Sequence, residues 1–192
     1  GVFESNGFTG SLILGNKLTS IGSGAFEGNI FVGDLIIGDS IESLDFINVS
    51  SLALNCFKGD LVVGDGITEI PDERFFSGSF AGTLSIGKNV KTIGERAFAV
   101  NSFTGDLVIP GNVESIGFDA FTYSGFYKGK LILKDGIKVI DKSAFTNLTF
   151  DGNLIIPDSV ESIGESAFSM TNFNGVLKLS EKLTAIEDST FY

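Results

Sequence analysis

The sequence has 192 residues, with 24 acidic and 13 basic side chains, a net charge of −11 and no histidine. An acidic chain without a Lys/Arg cluster repels a phosphate backbone, which argues against a nucleic-acid partner. The lack of histidine removes the commonest general base and metal ligand, and no apolar stretch approaches the roughly 20 residues of a membrane helix. We therefore expect no cofactor, no metal, no catalytic site and no membrane insertion.

The cysteine content also limits the possible chemistry, because Cys56 is the single cysteine. One thiol forms neither an internal disulfide nor a Cys-ligated zinc site. A lone cysteine beside Phe57 is typical of a small buried side chain, and we expect that role here.

A repeat organises the chain, and residues 152–175 show it most clearly. A glycine and a short aliphatic run lead to a turn, a second aliphatic pair, Ala-Phe and a further Phe. The opening glycine recurs at steps of 23, 26, 23, 23, 24, 23 and 23 residues, at Gly10, Gly33, Gly59, Gly82, Gly105, Gly129, Gly152 and Gly175. A period this regular predicts stacked coils that pack mainly on their neighbours, a single β-rich solenoid over residues 1–192 with about eight coils.

Each coil opens with a predicted first strand, as in Leu107 and Ile109, whose spacing of two directs both side chains into the core. The residue between them points outward and is aliphatic in six of eight coils, including Ile36, Val62, Val108, Ile132 and Ile155. One interpretation is that these residues supply strand propensity or are covered by neighbours. The other is an exposed apolar stripe that binds a partner.

After the first strand come a turn, a second short strand and a bend. The turns carry Asp39, Asp65, Asp135 and Asp158, but other coils have Lys or Gly there, so we interpret these residues as turn formers rather than calcium ligands. The second strand places its aliphatic pair at a spacing of three. The bend, as in residues 94–98, predicts a 3₁₀ or short helical turn with Ala and Phe facing inward.

Phenylalanine accounts for 19 residues, and the repeat explains most of them. Stacked coils predict two buried aromatic ladders, one at the Ala-Phe position and one two residues before the glycine. The first comprises Phe3, Phe26, Phe75, Phe98, Phe121, Phe145, Phe168 and Phe191, and the second Phe8, Phe31, Phe57, Phe80, Phe103, Phe150 and Phe173, with Tyr127 in the remaining place.

Charged residues on the second strand provide a check of register. Lys91, Glu114, Lys138 and Glu161 occupy the same position in successive coils. In-register stacking predicts an alternating column of opposite charges at a spacing of about 4.8 Å.

Two coils depart from the period. Residues 45–57 contain three additional residues, and their apolar spacing predicts a longer helical turn at one edge. Residues 122–128 contain one additional residue, and we predict that Tyr123, Phe126 and Tyr127 form a contact-making edge.

The repeated pattern Leu-x-Ile-Pro-x-x-Val-x-x-Ile-Gly-x-x-Ala-Phe, nearly complete in residues 107–121 and 154–168, resembles the BspA-like class of leucine-rich repeats. The resemblance implies a right-handed, curved solenoid, export to the cell surface, and adhesion or protein recognition. It supplies no catalytic residues. Most turns replace the Pro with Gly, Lys or Ser, which affects the local turn shape.

Both ends of the sequence fall inside repeats, so we expect a fragment of a longer protein. Our first functional hypothesis is a non-enzymatic, extracellular module at the cell surface that binds a host or matrix protein. The alternatives are a glycan-binding module, suggested by the aromatic edge at Tyr123, and a passive spacer.

Overall fold

The computed structural model describes residues 2–45, 56–126 and 128–192. Within these ranges the chain is a β-solenoid without helices, in which every coil has a first strand and the central coils also have a second. The thirteen strands of the described residues are β1 (Leu12–Ile13), β2 (Leu35–Ile36), β3 (Leu61–Val62), β4 (Glu69–Ile70), β5 (Leu84–Ser85), β6 (Thr92–Ile93), β7 (Leu107–Ile109), β8 (Ser115–Ile116), β9 (Leu131–Leu133), β10 (Val139–Ile140), β11 (Leu154–Ile155), β12 (Ser162–Ile163) and β13 (Leu177–Lys178).

The strands pair in parallel between successive coils. The first strands form the sheets β1-β2-β3-β5, β7-β9 and β11-β13, and the second strands form one sheet in the order β12-β10-β8-β6-β4. Leu35 pairs with Leu61 across the 26-residue step, as Leu12 pairs with Leu35 across a 23-residue step. The three additional residues of the second coil therefore leave the strand register intact.

The core lies between the two rows of strands. The inward residues of the first strand, such as Leu107 and Ile109, are fully buried, and so are Val113 and Ile116 after the turn. Strand alternation thus gives each coil one apolar face, and stacking buries that face continuously along the array.

Both aromatic ladders are present in the structure. Neighbouring rings within a ladder are stacked, for example Phe98 on Phe121 with centroids 5.1 Å apart. Rings of different ladders in one coil meet edge to face, as Phe98 does with Phe103 at 6.4 Å and 74°. These are the two arrangements that the ring quadrupole favours.

The fifth coil corrects one ladder assignment. Phe126, not Tyr127, occupies the second-ladder place between Phe103 and Phe150, with centroid separations of 5.5 and 5.9 Å. The additional residue of this coil lies after the ring, between Phe126 and Gly129, rather than before it.

The predicted 3₁₀ or short helical bend is absent from the described residues, which contain hydrogen-bonded turns at this position instead. Ala97 N–H donates to Gly94 O and Ala99 N–H to Arg96 O within the coil. Arg96 and Val100 have φ values of 49° and 58°, and the N–H groups of both donate to carbonyls of the next coil. A helix would direct these donors along its own axis, so the left-handed residues serve the contact between coils.

Buried asparagines join the coils beneath the bend, a feature that the repeat analysis missed. Asn101 is 7% exposed, and its Nδ2 donates to Phe75 O at 2.9 Å and to Phe98 O at 2.7 Å. Its Oδ1 accepts from Phe80 N–H at 3.2 Å. Asn29 makes the equivalent contacts in the first coil.

Two further predictions concern the second coil. The burial expected of Cys56 is wrong, because its side chain is exposed while its neighbour Phe57 points inward. The longer helical turn predicted within residues 45–57 falls mostly on residues 46–55, outside the described residues.

Candidate interaction surfaces

A row of outward side chains follows the first strands, and we call it the strand-face stripe. Within each first-strand sheet the register pairs one member with the next, as in Ile36 with Val62 and Val108 with Ile132. The complete row is Ile13, Ile36, Val62, Ser85, Val108, Ile132, Ile155 and Lys178. The outward placement expected for this row is therefore present in the structure.

Exposure varies along the strand-face stripe. Ile13, Val108 and Ile155 are 66%, 38% and 41% exposed, whereas Ile36, Val62 and Ile132 are half-buried. Neighbouring residues cover part of the row, but its outer methyl groups reach the surface in successive coils. The row is therefore a partly apolar surface in two segments, which Ser85 separates and Lys178 ends.

The residue that precedes each first strand forms a second row, which we call the border row. Several members accept a hydrogen bond through their side chain from the backbone of the next coil. Asp34 Oδ1 accepts from Asp60 N–H at 2.8 Å, and Asp106 Oδ1 accepts from Lys130 N–H at 2.8 Å. The complete row is Ser11, Asp34, Asp60, Thr83, Asp106, Lys130, Asn153 and Val176. The sequence analysis did not single out this row.

The predicted aromatic edge is smaller than expected. Tyr123 is 57% exposed, with φ at 55°, and shares its position in the repeat with the exposed Val100 and Met170. Phe126 is fully buried in the second ladder and is not available to a partner, so its prediction as an edge residue is wrong. Tyr127 lies outside the described residues.

Two of the acidic turn residues, Asp39 and Asp65, line a polar groove of about 770 Å³ that runs along the first five coils. Asp39 Oδ1 accepts from Asp65 N–H at 3.1 Å, and Asp65 Oδ1 accepts from Lys88 N–H at 3.0 Å. The Lys88 ammonium, hydrogen-bonded to the Asp65 carboxylate, lowers the pKa of Asp65 below its ordinary value. The acidic residues lie in turns, as predicted, but these hydrogen bonds join successive coils rather than closing a turn. Among the described residues no group of three or more acidic or Cys side chains is placed to hold a metal ion.

The charged column on the second sheet is in register as predicted. Glu114 N–H donates to Lys91 O, and Lys138 N–H donates to Glu114 O, at 2.7 and 2.8 Å. Lys138 Nζ lies 2.8 Å from Glu114 Oε2, and this hydrogen bond lowers the pKa of Glu114. The column strengthens the assignment of register; exposed pairs of this kind add little stability.

A comparison of the sequence with protein-family models agrees with this fold. The model of the BspA type leucine-rich repeat region matches residues 1–128 and 126–192, in six copies. The chain belongs to this family. None of the curated proteins compared gives a match.

One solved structure supports the fold of this BspA-type array. The crystal structure of the pneumococcal vaccine antigen PcpA aligns with a TM-score of 0.52 and 19% sequence identity. The alignment covers 93% of this chain but 42% of the PcpA chain, so this chain spans less than half of that structure. At this identity the likeness shows the fold alone.

The BspA-type array therefore presents three surfaces: the strand-face stripe, the edge at Tyr123 and the polar groove. In the described part of the chain, no helix has the length and hydropathy needed to cross a bilayer.

Proposed function

We propose that this BspA-type array is a non-enzymatic recognition module of an extracellular, cell-surface protein, and that its strand-face stripe binds a host or matrix protein. The observation that carries the proposal is the in-register row of aliphatic side chains that remain partly exposed along the first strands. A row of eight strands is about 34 Å long, at about 4.8 Å between neighbours.

The chemistry of the strand-face stripe suits protein recognition. β-Branched side chains such as Val108 and Ile132 have little χ1 freedom on a strand, so they lose little conformational entropy when a partner covers them. Contiguous exposed apolar surface on a folded domain is typical of protein-binding sites.

The test is binding to immobilised matrix and plasma proteins at physiological salt. We expect the double variant Val108→Asp/Ile132→Asp to lose saturable binding, because two carboxylates in adjacent coils would have to be desolvated. The matched control is Ser115→Asp/Val139→Asp, which places two carboxylates in the same coils but on the second sheet, where Ser115 and Val139 pair in register. Equal binding by the two folded variants would contradict the proposal.

Glycan binding is a second candidate, favoured by the 57% exposure of Tyr123. An aromatic ring at a surface suits contact with the apolar face of a sugar. Tyr123→Ala would then abolish binding on a glycan array while leaving protein binding unchanged. A passive spacer would bind neither panel, and neither set of variants would alter its behaviour.

A further inference from the structure

We propose that the polar groove along the first five coils binds a neutral, extended glycan chain. This site is separate from the strand-face stripe and from the edge at Tyr123, so it goes beyond the recognition role proposed above. The inference is carried by the hydrogen-bonding groups that line the polar groove, several of which have no partner among the described residues.

Two rows of residues form the walls of the polar groove. One row belongs to the turns and includes Asp39 and Asp65, and the other stands one residue before the second strands, as Thr68 and Lys91 do. Every lining residue is polar or glycine. The volume of about 770 Å³ lies within the range of small-ligand sites.

The row before the second strands is unpaired along the groove and paired beyond it. In the fifth and sixth coils, Lys138 Nζ lies 2.8 Å from Glu114 Oε2. The corresponding residues of the first three coils are Thr19, Glu42 and Thr68, which are exposed and whose side chains make no hydrogen bond or ion pair within the described part of the chain. Their hydroxyl and carboxylate groups are therefore available to a ligand.

One backbone acceptor beside the groove also lacks a protein partner. In the third and fourth coils, Asn89 Nδ2 donates to Asp65 O at 2.8 Å, and side chains of two other coils make the same contact. In the third coil this position is Gly66, which has no side chain, so no donor of the described residues bonds to Asp39 O. Water or a ligand hydroxyl must satisfy that carbonyl.

The charges of the polar groove favour a neutral ligand over an anionic one. Lys88 Nζ pairs with the Asp65 carboxylate at 2.6 Å. Two carboxylates, of Asp39 and Glu42, and one ammonium, of Lys91, then remain along the groove. This excess of negative charge repels sulfated or phosphorylated chains. Sugar hydroxyls both donate and accept, so a neutral glycan can use the carboxylates and the ammonium together.

A peptide fits the polar groove less well. At Lys91 the groove passes over β6, which already pairs with β4 and β8, so no sheet edge is open there to a peptide backbone. Recognition of peptide side chains depends on apolar or aromatic anchors, and the lining residues supply none.

The spacing of the coils suits a chain of sugars. Successive coils are about 4.8 Å apart, which is close to the advance of one pyranose unit in an extended β-1,4-linked chain. The five coils along the groove span about 19 Å, enough for about four sugar units. Because no aromatic ring lines the groove, we expect weak binding, with a Kd of about 1 mM for a tetramer.

The test is an NMR titration of the folded, isotope-labelled chain with two series of probes, β-1,4-linked oligomers of glucose and of N-acetylglucosamine, at up to about 10 mM. We expect saturable shifts of the amide signals of Gly66, Thr68 and Asn89 with at least one series, and no shift at Val108 or Tyr123. Affinity should rise with oligomer length up to about four units and then level off.

Thr68→Lys should close the groove in the way that the array uses in later coils. The ammonium would face Glu42 from the next coil, as Lys138 faces Glu114. We expect this variant to raise the Kd of the tetramer by about tenfold or more. The matched control is Ser162→Lys, which adds the same charge at an exposed residue of β12 outside the groove and should leave the Kd unchanged.

A second variant separates the loss of a ligand contact from the loss of folding. Asp39 Oδ1 accepts from Asp65 N–H at 3.1 Å, and Asn16 Oδ1 makes the equivalent bond to Asp39 N–H at 3.2 Å. Asp39→Asn therefore retains the bond between coils, and its unfolding midpoint should not change. It replaces one acceptor oxygen with a donor amide, so it should raise the Kd by about threefold or more.

Three results would overturn the inference. The first is the absence of saturable shifts with both series, and the second is an equal Kd for Thr68→Lys and Ser162→Lys. The third is a lysine tetrapeptide that binds more tightly than either sugar series and is released by about 0.5 M salt, which would make the groove a site for a basic segment. Sugar-induced shifts confined to Tyr123, with binding lost in Tyr123→Ala, would place the glycan at the edge instead and also contradict the inference.

The outcome is independent of the proposed function. Failure at the polar groove leaves recognition by the strand-face stripe standing if Val108→Asp/Ile132→Asp still abolishes binding to a protein. Conversely, sugar binding that Thr68→Lys abolishes, in a chain that binds no protein, would support the glycan site and contradict recognition of a host protein.

Discussion

The ring of Phe121 stacks on that of Phe98, with centroids 5.1 Å apart and planes inclined by 14°. Both side chains are fully buried, and the stack continues to Phe75 on one side and Phe145 on the other. Each buried ring removes roughly 150 to 250 Å² from water. Because each of these rings contacts the coil above and the coil below, the ladder joins the coils from Phe75 to Phe145 into one cooperative unit.

Phe121→Ala should therefore lower the free energy of unfolding by about 4 kcal/mol, the range measured for large cavities in cores. Phe121→Leu retains most of the volume and should cost about 1.5 kcal/mol. Urea unfolding followed by circular dichroism measures both. Tyr123→Ala, in the same coil but exposed, should change the value by less than about 0.5 kcal/mol. Equal losses for Phe121→Ala and Tyr123→Ala would contradict the buried ladder.

Asn101 gives a second stability prediction. Replacement by Ala leaves Phe75 O without its 2.9 Å donor and Phe80 N–H without its 3.2 Å acceptor, whereas Phe98 O keeps the 2.7 Å bond from Ser124 Oγ. One unpaired buried carbonyl and one unpaired buried N–H should lower the free energy of unfolding by about 3 kcal/mol. The matched variant Asn89→Ala removes one exposed bond, from Nδ2 to Asp65 O, and should cost less than about 1 kcal/mol. Similar losses would mean that the buried amide has no special role.

A substitution at Val100 should change the free energy of unfolding in the opposite direction. It is a β-branched residue at φ 58°, where L side chains are strained, and its side chain is 45% exposed. Val100→Gly should raise the free energy of unfolding by about 1 kcal/mol, as Gly28 occupies the same position of the repeat in an earlier coil. Val139→Gly, at an exposed position of β10, should instead lower it by about 1 kcal/mol. Thermal or urea unfolding distinguishes the two signs.

The Glu114–Lys138 pair predicts a pH dependence. Its hydrogen bond lowers the pKa of Glu114 and raises the pKa of Lys138. The pair therefore stabilises the fold between the two titrations: the gain is lost as pH falls through the lowered pKa of Glu114, and as pH rises through the raised pKa of Lys138.

In Lys138→Ala, the pKa of Glu114 should move up towards its ordinary value, which a carboxyl NMR titration detects. The shift should shrink in about 1 M salt, because the pair is exposed. An unchanged Glu114 titration in the variant would show that the ion pair does not form in solution.

Much of this architecture was predictable because the repeat encodes it several times. The repeat period that pairs Leu35 with Leu61 also stacks the Phe rings of successive coils. It aligns Lys91 with Glu114 in the charged column as well. Where one coil has an additional residue the period is ambiguous. Either Phe126 or Tyr127 fits the ladder by spacing, and the buried place goes to the ring whose spacing to Phe103 is 23 residues.

The backbone conformation of the bends was harder to predict from the sequence than the strand register. A helical turn and a turn with left-handed residues have similar i to i+3 spacing, and Arg96 carries no sequence signal for its φ of 49°. The buried role of Asn101 was hidden because the same position is Gly78, Ser124 or Leu148 in other coils. The outward direction of the strand-face stripe followed from strand alternation, but its exposed fraction depends on neighbouring side chains that the repeat does not specify.

The most direct test of the central claim is an NMR titration of the methyl-labelled chain with a protein that binds it. Recognition by the strand-face stripe predicts that the methyl signals of Val62, Val108 and Ile132 shift or broaden in proportion to bound fraction, while those of Val139 on the second sheet do not. Perturbation confined to Val139, or to the edge at Tyr123, would contradict recognition through the strand-face stripe.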